Sequence, residues 1–171
     1  FSSHIHRIQQ VVNAARGDER VVAFLVRSMH QSVEAARRLG ILHVPETDVI
    51  PIEEVEHRDP SRVVVICTGS QGEPFSALSL MAAREHKWVK LKEGDNVVLS
   101  SSLIPGNEPA IHRVIDGLYR TGADVFHLPA YPVHASGHAA AEELRLMLSL
   151  VRPRWFIPIH GERRHLSHHA K

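Results

Sequence analysis

Two stretches of this chain have the residue types of a reactive site: His134-Ala135-Ser136-Gly137-His138, and His160-Gly161-Glu162 near the C-terminus. The first gathers two imidazoles, a hydroxyl and backbone amides beside a glycine within five residues. That is the donor set of an anion site, and phosphate is the anion it suits. The second places one imidazole at the end of an apolar run, Trp155-Phe156-Ile157-Pro158-Ile159. Each has a plainer reading when taken singly: a Ser-Gly pair caps a helix, and a histidine after a strand is a satisfied surface or core residue. Their placement at the two ends of one helix-and-strand unit is what argues for a shared role.

The elements that must position these residues follow from periodicity. Leu144, Leu146, Met147, Leu148, Leu150 and Val151 give a helix with a buried face, which Pro153 stops. Ser136 and Gly137 then stand where a turn enters that helix. The run 155–159 reads as a strand, and it delivers His160 to the C-terminal edge, where ligands and metals gather in open α/β sheets.

Upstream, strand and helix alternate. Val21–Val26 is an apolar strand, and a helix over Met29–Leu39 ends at Gly40. Val49-Ile50-Pro51-Ile52 is confined to a sheet edge by its proline. Val63–Cys67 is a central strand that leads through Thr68-Gly69-Ser70-Gln71-Gly72-Glu73 to a helix ending near Arg84. Asn96–Ser100 is a strand followed by a polar loop and a helix to Arg120, capped by Gly122, and Asp124–Leu128 is the next strand. This order, with strands buried on both faces, predicts an α/β fold: a doubly wound, mostly parallel sheet with helices on both faces. The loops TGSQGE, SSSLIPGNE and HASGH then share one sheet edge, each before a helix N-terminus, although Gly/Ser-rich αβ turns without function are the plainer reading.

Composition narrows the classes. The chain has 171 residues, 43% hydrophobic and 23% charged, enough for one domain with a real core. A net charge of +1 gives no general attraction to nucleic acid, so any such contact must be local. No run approaches the roughly 18 apolar residues of a membrane span. Nor is there a GxGxxG, GxxxxGK or GxSxG motif, which argues against a dinucleotide site, a P-loop and a serine-nucleophile elbow. Fourteen histidines fit phosphate or metal chemistry, or merely a histidine-rich surface. Cys67, the single cysteine, reads as core packing in a reducing compartment. The opening Phe1-Ser2-Ser3-His4, without an initiator methionine, reads as part of a larger protein. Ser2 or Ser3 would cap a helix whose apolar positions are Ile5, Ile8, Val11, Val12 and Ala15. His4 and His6 fall on different faces of it and share no ligation. In the tail, His165 and His169 share a helical face, but no carboxylate or cysteine completes a metal set, and a solvated basic helix is the expectation.

FSSHIHRIQ, VRSM, TGSQGEP, SSSLIPGNE, HASGHA and PIHGERRHL, in that order, resemble the β-CASP part of the bacterial ribonuclease J family, across essentially the whole chain. The resemblance implies a β-CASP α/β domain over 1–135. It also implies that 136–171 ends that domain and returns toward a metallo-β-lactamase core, which these residues do not contain. It implies a zinc-dependent ribonuclease of the cytoplasm, acting from a 5′ monophosphate and in some members internally, in mRNA decay and rRNA processing. Partners would be RNA, the metallo-β-lactamase domain and further copies of the full-length protein, with no membrane. By motif, His138 would contact the scissile phosphate as the catalytic residue, and His160 would be a zinc ligand. His134, Ala135, Ser136 and Gly137 would join His138 in binding the substrate's terminal nucleotide, and the Ser2-Ser3-His4 turn, through Ser3 and His4, would be a second phosphate-contacting stretch of the substrate site. The family's main zinc motif, H-x-H-x-D-H, is absent from this chain, and one histidine cannot hold two ions. Alone, these residues are therefore expected to be inactive. Two alternatives stay open: a non-catalytic phosphate- or nucleotide-binding α/β module, and another β-CASP RNA-processing nuclease.

Overall fold

The fold was read from a computed structural model that describes residues 4–135, 137–159 and 161–171, with Arg27 and Ser28 described by backbone alone. Chain contacts divide it into two compact units, 1–134 and 135–171.

The first unit opens with α1 (Ile5–Gly17), whose buried Ile8, Val12 and Ala15 recur on one helical face. Ser2 and Ser3 lie outside the described residues. The cap is instead His4, whose Nδ1 accepts the Arg7 N–H at 3.2 Å. Then come β1 (Val21–Phe24), α2 (Arg27–Arg38), three short 3-10 turns between 46 and 62, β2 (Val63–Ile66), α3 (Ala77–Ala82), β3 (Asn96–Val98), α4 (Glu108–Thr121) and β4 (Asp124–Phe126). Gly122 closes α4 at φ 93°, a conformation that the absence of a Cβ makes accessible.

All the strand pairing is parallel, so the α/β class holds. β1 pairs with β2, Val22 opposite Val64, and β3 pairs with β4, Val97 opposite Val125. Val49 makes a single bridge to Val22 beside Pro51, the edge position its proline predicts. Among the described residues the ladder forms two two-stranded sheets, with strands shorter than their apolar runs. The cause at β1 is local, because Val26 turns to φ 103° and leaves the ladder one residue after the Leu25 N–H bonds the Ile66 carbonyl. Burial is also less complete than two-sided covering would give. β1 is largely buried, β2 is half-buried throughout, and Val98 is exposed.

Three apolar clusters hold this unit. α1, β1 and α2 share Ile8, Val12, Val22, Phe24 and Val33. Leu99, Ile111, Ile115, Leu118 and Val125 join α4 to β3 and β4. Leu25, Ala77, Met81 and Val89 form the third. Cys67 packs against the last two, and burial pushes its thiol up to about 11, which leaves it an inert packing group.

The second unit contains α5 (Ala141–Val151) and α6 (Arg163–His169). α5 ends where Pro153 requires, with Arg152 at φ 46° as its cap. The other expectations for this unit need correcting. None of the apolar positions of α5 is buried, and 155–159 forms no strand, leaving Trp155, Ile157 and Ile159 exposed. An extended segment becomes a strand only where a neighbour completes its hydrogen bonds, and 155–159 has no such neighbour. α6 is the solvated helix expected of the tail.

Candidate nucleic-acid interface

The C-terminal ends of β2, β3 and β4 each run into a polar segment of the first unit. Two of these are tied together by one side chain. The Gln71 amide donates from Nε2 to the Ser102 carbonyl at 2.9 Å and accepts the Ile104 N–H on Oε1 at 3.2 Å. Glycine makes the first loop possible, since Gly69 (φ 113°) and Gly72 (φ 73°) both take left-handed backbone. Some amides of these loops are occupied within the loops themselves. Glu73 accepts the Gln71 N–H at 3.1 Å, and Glu108 accepts the Gly106 N–H at 2.7 Å, so those two donors are already engaged.

Ser100, just past β3, is the meeting point of three elements. Its carbonyl accepts Arg7 Nη1 from the first turns of α1 at 2.7 Å, and its hydroxyl donates to the Val133 carbonyl at 2.7 Å. The His134 imidazole lies within electrostatic reach of the Ser100 backbone as well. Burial, aided by the Arg7 and His4 charges, holds the His134 imidazole below its usual value, and the Ser100 backbone offsets part of that. His134 Nδ1 is buried without a hydrogen-bond partner among the described residues. A buried polar atom in that state calls for an explanation, and a group supplied from outside is one. The structure thus brings His4 and His134, opposite ends of the first unit in sequence, into one electrostatic neighbourhood.

Ala135, Gly137 and His138 are exposed and belong to the second unit. Gly137 does not open the helix as expected. The N-cap of α5 is Ala140, whose N–H donates to Glu143 Oε2 at 2.7 Å. Gly137 and His138 instead line an open cleft of about 450 Å³ with Glu143, Leu144 and Met147. Ser3, Ser136 and His160 lie outside the described residues. In α6, His165 Nδ1 accepts the Glu162 N–H, and the His169 ring lies edge-on to Phe156 at 5.0 Å. Among the described residues no three His, Cys, Asp or Glu side chains are grouped to hold a metal.

Arg7, Gln71 and Ser100 were not singled out by residue type. The loops were legible as TGSQGE and SSSLIPGNE, but nothing local distinguishes Gln71 from its neighbours. Arg7 had one signal, a cation one turn beyond His4 at a helix start.

His86 is a second histidine held below its usual value, by burial and then by Lys90. Its Nδ1 accepts the N–H groups of Trp88 and Val89, so protonation there breaks both bonds. For His86 and His134 alike, the unfolded chain takes up protons first as pH falls. The stabilisation is therefore full above the ordinary histidine value near ~6.5 and is lost as pH drops through the lowered folded values. We expect a melting temperature that is flat from neutral to weakly alkaline pH and declines on acidification. His86→Asn, which keeps an acceptor but does not titrate, should remove part of the decline. A melting temperature unchanged down to pH 5 would contradict this.

Parallel strands whose C-terminal ends run into loops, with histidine and arginine drawn to Ser100, define an α/β module of β-α-β type. Residues 1–118 match the family "Ribonuclease J, beta-CASP domain", and residues 130–171 match "Zn-dependent metallo-hydrolase RNA specificity domain". Ribonuclease J of Thermus thermophilus is 50% identical over 165 residues, covering 96% of this chain and 29% of that protein. Ribonuclease J of Mycolicibacterium smegmatis is 47% identical over 170 residues, 99% of this chain and 30% of that protein. That of Mycobacterium tuberculosis is 48% identical over 171 residues, 100% of this chain and 31% of that protein. The chain belongs to the ribonuclease J family. It spans about 30% of the length of these curated relatives. Zinc enters through the name of the second family; the described side chains do not form a zinc site, so no hydrolytic step is assigned to them.

Proposed function

We propose that this chain is the RNA-contacting β-CASP part of a zinc-dependent ribonuclease that acts from a 5′ monophosphate, and also internally, in mRNA decay and rRNA processing in the cytoplasm. The observation that carries the reading is the Ser100 junction. Arg7, His134 and His4 converge there on one edge, and His134 Nδ1 is left without a partner among the described residues. In this reading Arg7 and His4 face backbone phosphates, which gives affinity with little base preference. Ser136 and Gly137 hold the terminal phosphate, Ser3 contacts a second phosphate, His138 hydrogen-bonds a non-bridging oxygen, and His160 is contributed to a zinc site completed by another domain of the protein. Residues 1–135 act as the β-CASP domain, and 136–171 return toward that other domain, whose surface covers the exposed apolar side of α5. The full-length protein assembles with further copies of itself. The two parallel strand pairs belong to one doubly wound layer. Cys67 supports this, since it follows β2 directly and packs into the cluster that holds β3 and β4.

The test is a binding titration of the full-length protein, with EDTA present to suppress hydrolysis, against a short RNA bearing a 5′ monophosphate or a 5′ hydroxyl. Wild type should prefer the monophosphate about ten-fold, as one or two charge-assisted hydrogen bonds provide. Ser136→Ala and His138→Ala should each erase that preference. Equal affinity for both RNAs in wild type would remove the terminal-phosphate site from this chain.

A further inference from the structure

Half of the exposed large apolar side chains among the described residues lie on α5 and the segment after it, and of those in the first unit Phe75 is the most exposed. It is 88% exposed. Its backbone is equally unusual, at φ 60°. The Ser76 N–H bonds the Glu73 carbonyl, closing a four-residue turn with Pro74 second and Phe75 third. A positive φ at the third position of such a turn is where glycine is preferred, so an aromatic residue there is held against its own conformational preference. The turn is pinned on both sides. Ser76 Oγ accepts the Ser79 N–H at the start of α3, and Ser79 Oγ donates to the Glu73 carbonyl at 2.9 Å. On the other side, Gln71 fastens the loop to Ser102 and Ile104. A pinned turn therefore presents an uncovered ring in the segment after β2, next to the loop that Gln71 fastens to the segment after β3.

We propose that Phe75 is a base-stacking residue of the RNA interface: its ring offers a π-face to an unpaired nucleobase of a strand whose phosphates are met elsewhere on the first unit. This rests on the RNA-binding reading above. Stacking suits this ring because every base has a π-face, so one fixed aromatic adds affinity without choosing sequence. Two χ angles and a pinned backbone leave little freedom to lose on binding.

The turn itself supplies a clean variant. Phe75→Gly relieves the positive φ, so the fold should keep or gain stability while the ring disappears. In the full-length protein with EDTA, Phe75→Gly should weaken binding of a single-stranded 12-nucleotide RNA about ten-fold, within the range for one lost stacked base. Phe75→Trp should restore it, and Phe75→Leu should not. Carried at successive positions of the RNA, 2-aminopurine should be quenched by wild type at one position, and that quenching should be lost in Phe75→Gly. If wild type binds RNA but Phe75→Gly binds equally well and no position responds, the stacking role is wrong. If Phe75→Leu matches wild type, the site needs only an apolar cover from a protein surface, which also overturns it. If wild type binds no RNA, the parent reading fails and takes this one with it.

Discussion

Arg7→Glu is expected to weaken binding of 5′-monophosphorylated RNA by the full-length protein roughly 100-fold. A charge-assisted hydrogen bond contributes about 1.5–3 kcal/mol, and reversal adds repulsion of the phosphate. One guanidinium N–H is committed to the Ser100 carbonyl, which fixes the side chain and leaves further donors of the planar fork available. Arg7→Lys should fall between the two, because it keeps the charge but cannot brace on Ser100 and reach a phosphate with the same geometry. The gap between wild type and Arg7→Glu should narrow at high salt, as counterion release requires. A second readout is internal to the protein. Arg7 is one of the groups holding His134 below its usual value, so in Arg7→Ala the His134 ring resonances should titrate at higher pH than in wild type. If Arg7→Glu binds within three-fold of wild type, the edge built on Ser100 is not where RNA is held.

Gly72→Ala is expected to destabilise the first unit by about 2–5 kcal/mol, because two penalties add: left-handed backbone for a residue with a Cβ, and overpacking. The new Cβ would lie 2.6 Å from the Ala110 backbone carbon and 2.8 Å from its carbonyl oxygen. These are main-chain atoms of α4, which cannot swing aside as a side chain would. Gly106→Ala is the matched control. Gly106 has φ 98°, yet nothing lies within 4 Å of its would-be Cβ, so only the backbone penalty of about 1–2 kcal/mol applies. Denaturant unfolding of the two variants separates the terms. Equal losses in both would mean that α4 moves away from the loop freely, and that the 68–73 loop is less rigidly seated than its contacts imply.

The β/α alternation, the parallel pairing and the helix ends were readable because they depend on neighbours in sequence: apolar period, a glycine after α4, a proline after α5. The loops at the strand ends were readable for the same reason, through their glycines and hydroxyls. Family membership was readable too, since FSSHIHRIQ through PIHGERRHL keep their order along the chain. The failures also have physical causes. Ser136-Gly137 looks like a cap, but α5 starts at Ala141, where Glu143 can close onto the Ala140 amide. Residues 155–159 have the composition of a strand and make no ladder, because composition supplies an apolar surface but not the partner that completes its hydrogen bonds.

By itself the sequence determined the fold class, the family and the positions of His134 and His4 as site candidates. Only the tertiary structure decided that these two histidines belong together, that Ser100 joins them to Arg7, and that Gln71 links two loops. The hydrogen bonds among these lie between segments 31 to 93 residues apart. Local pattern encodes which backbone a segment prefers, whereas a hydrogen bond across such a distance exists only once the strands between have paired and the core has closed.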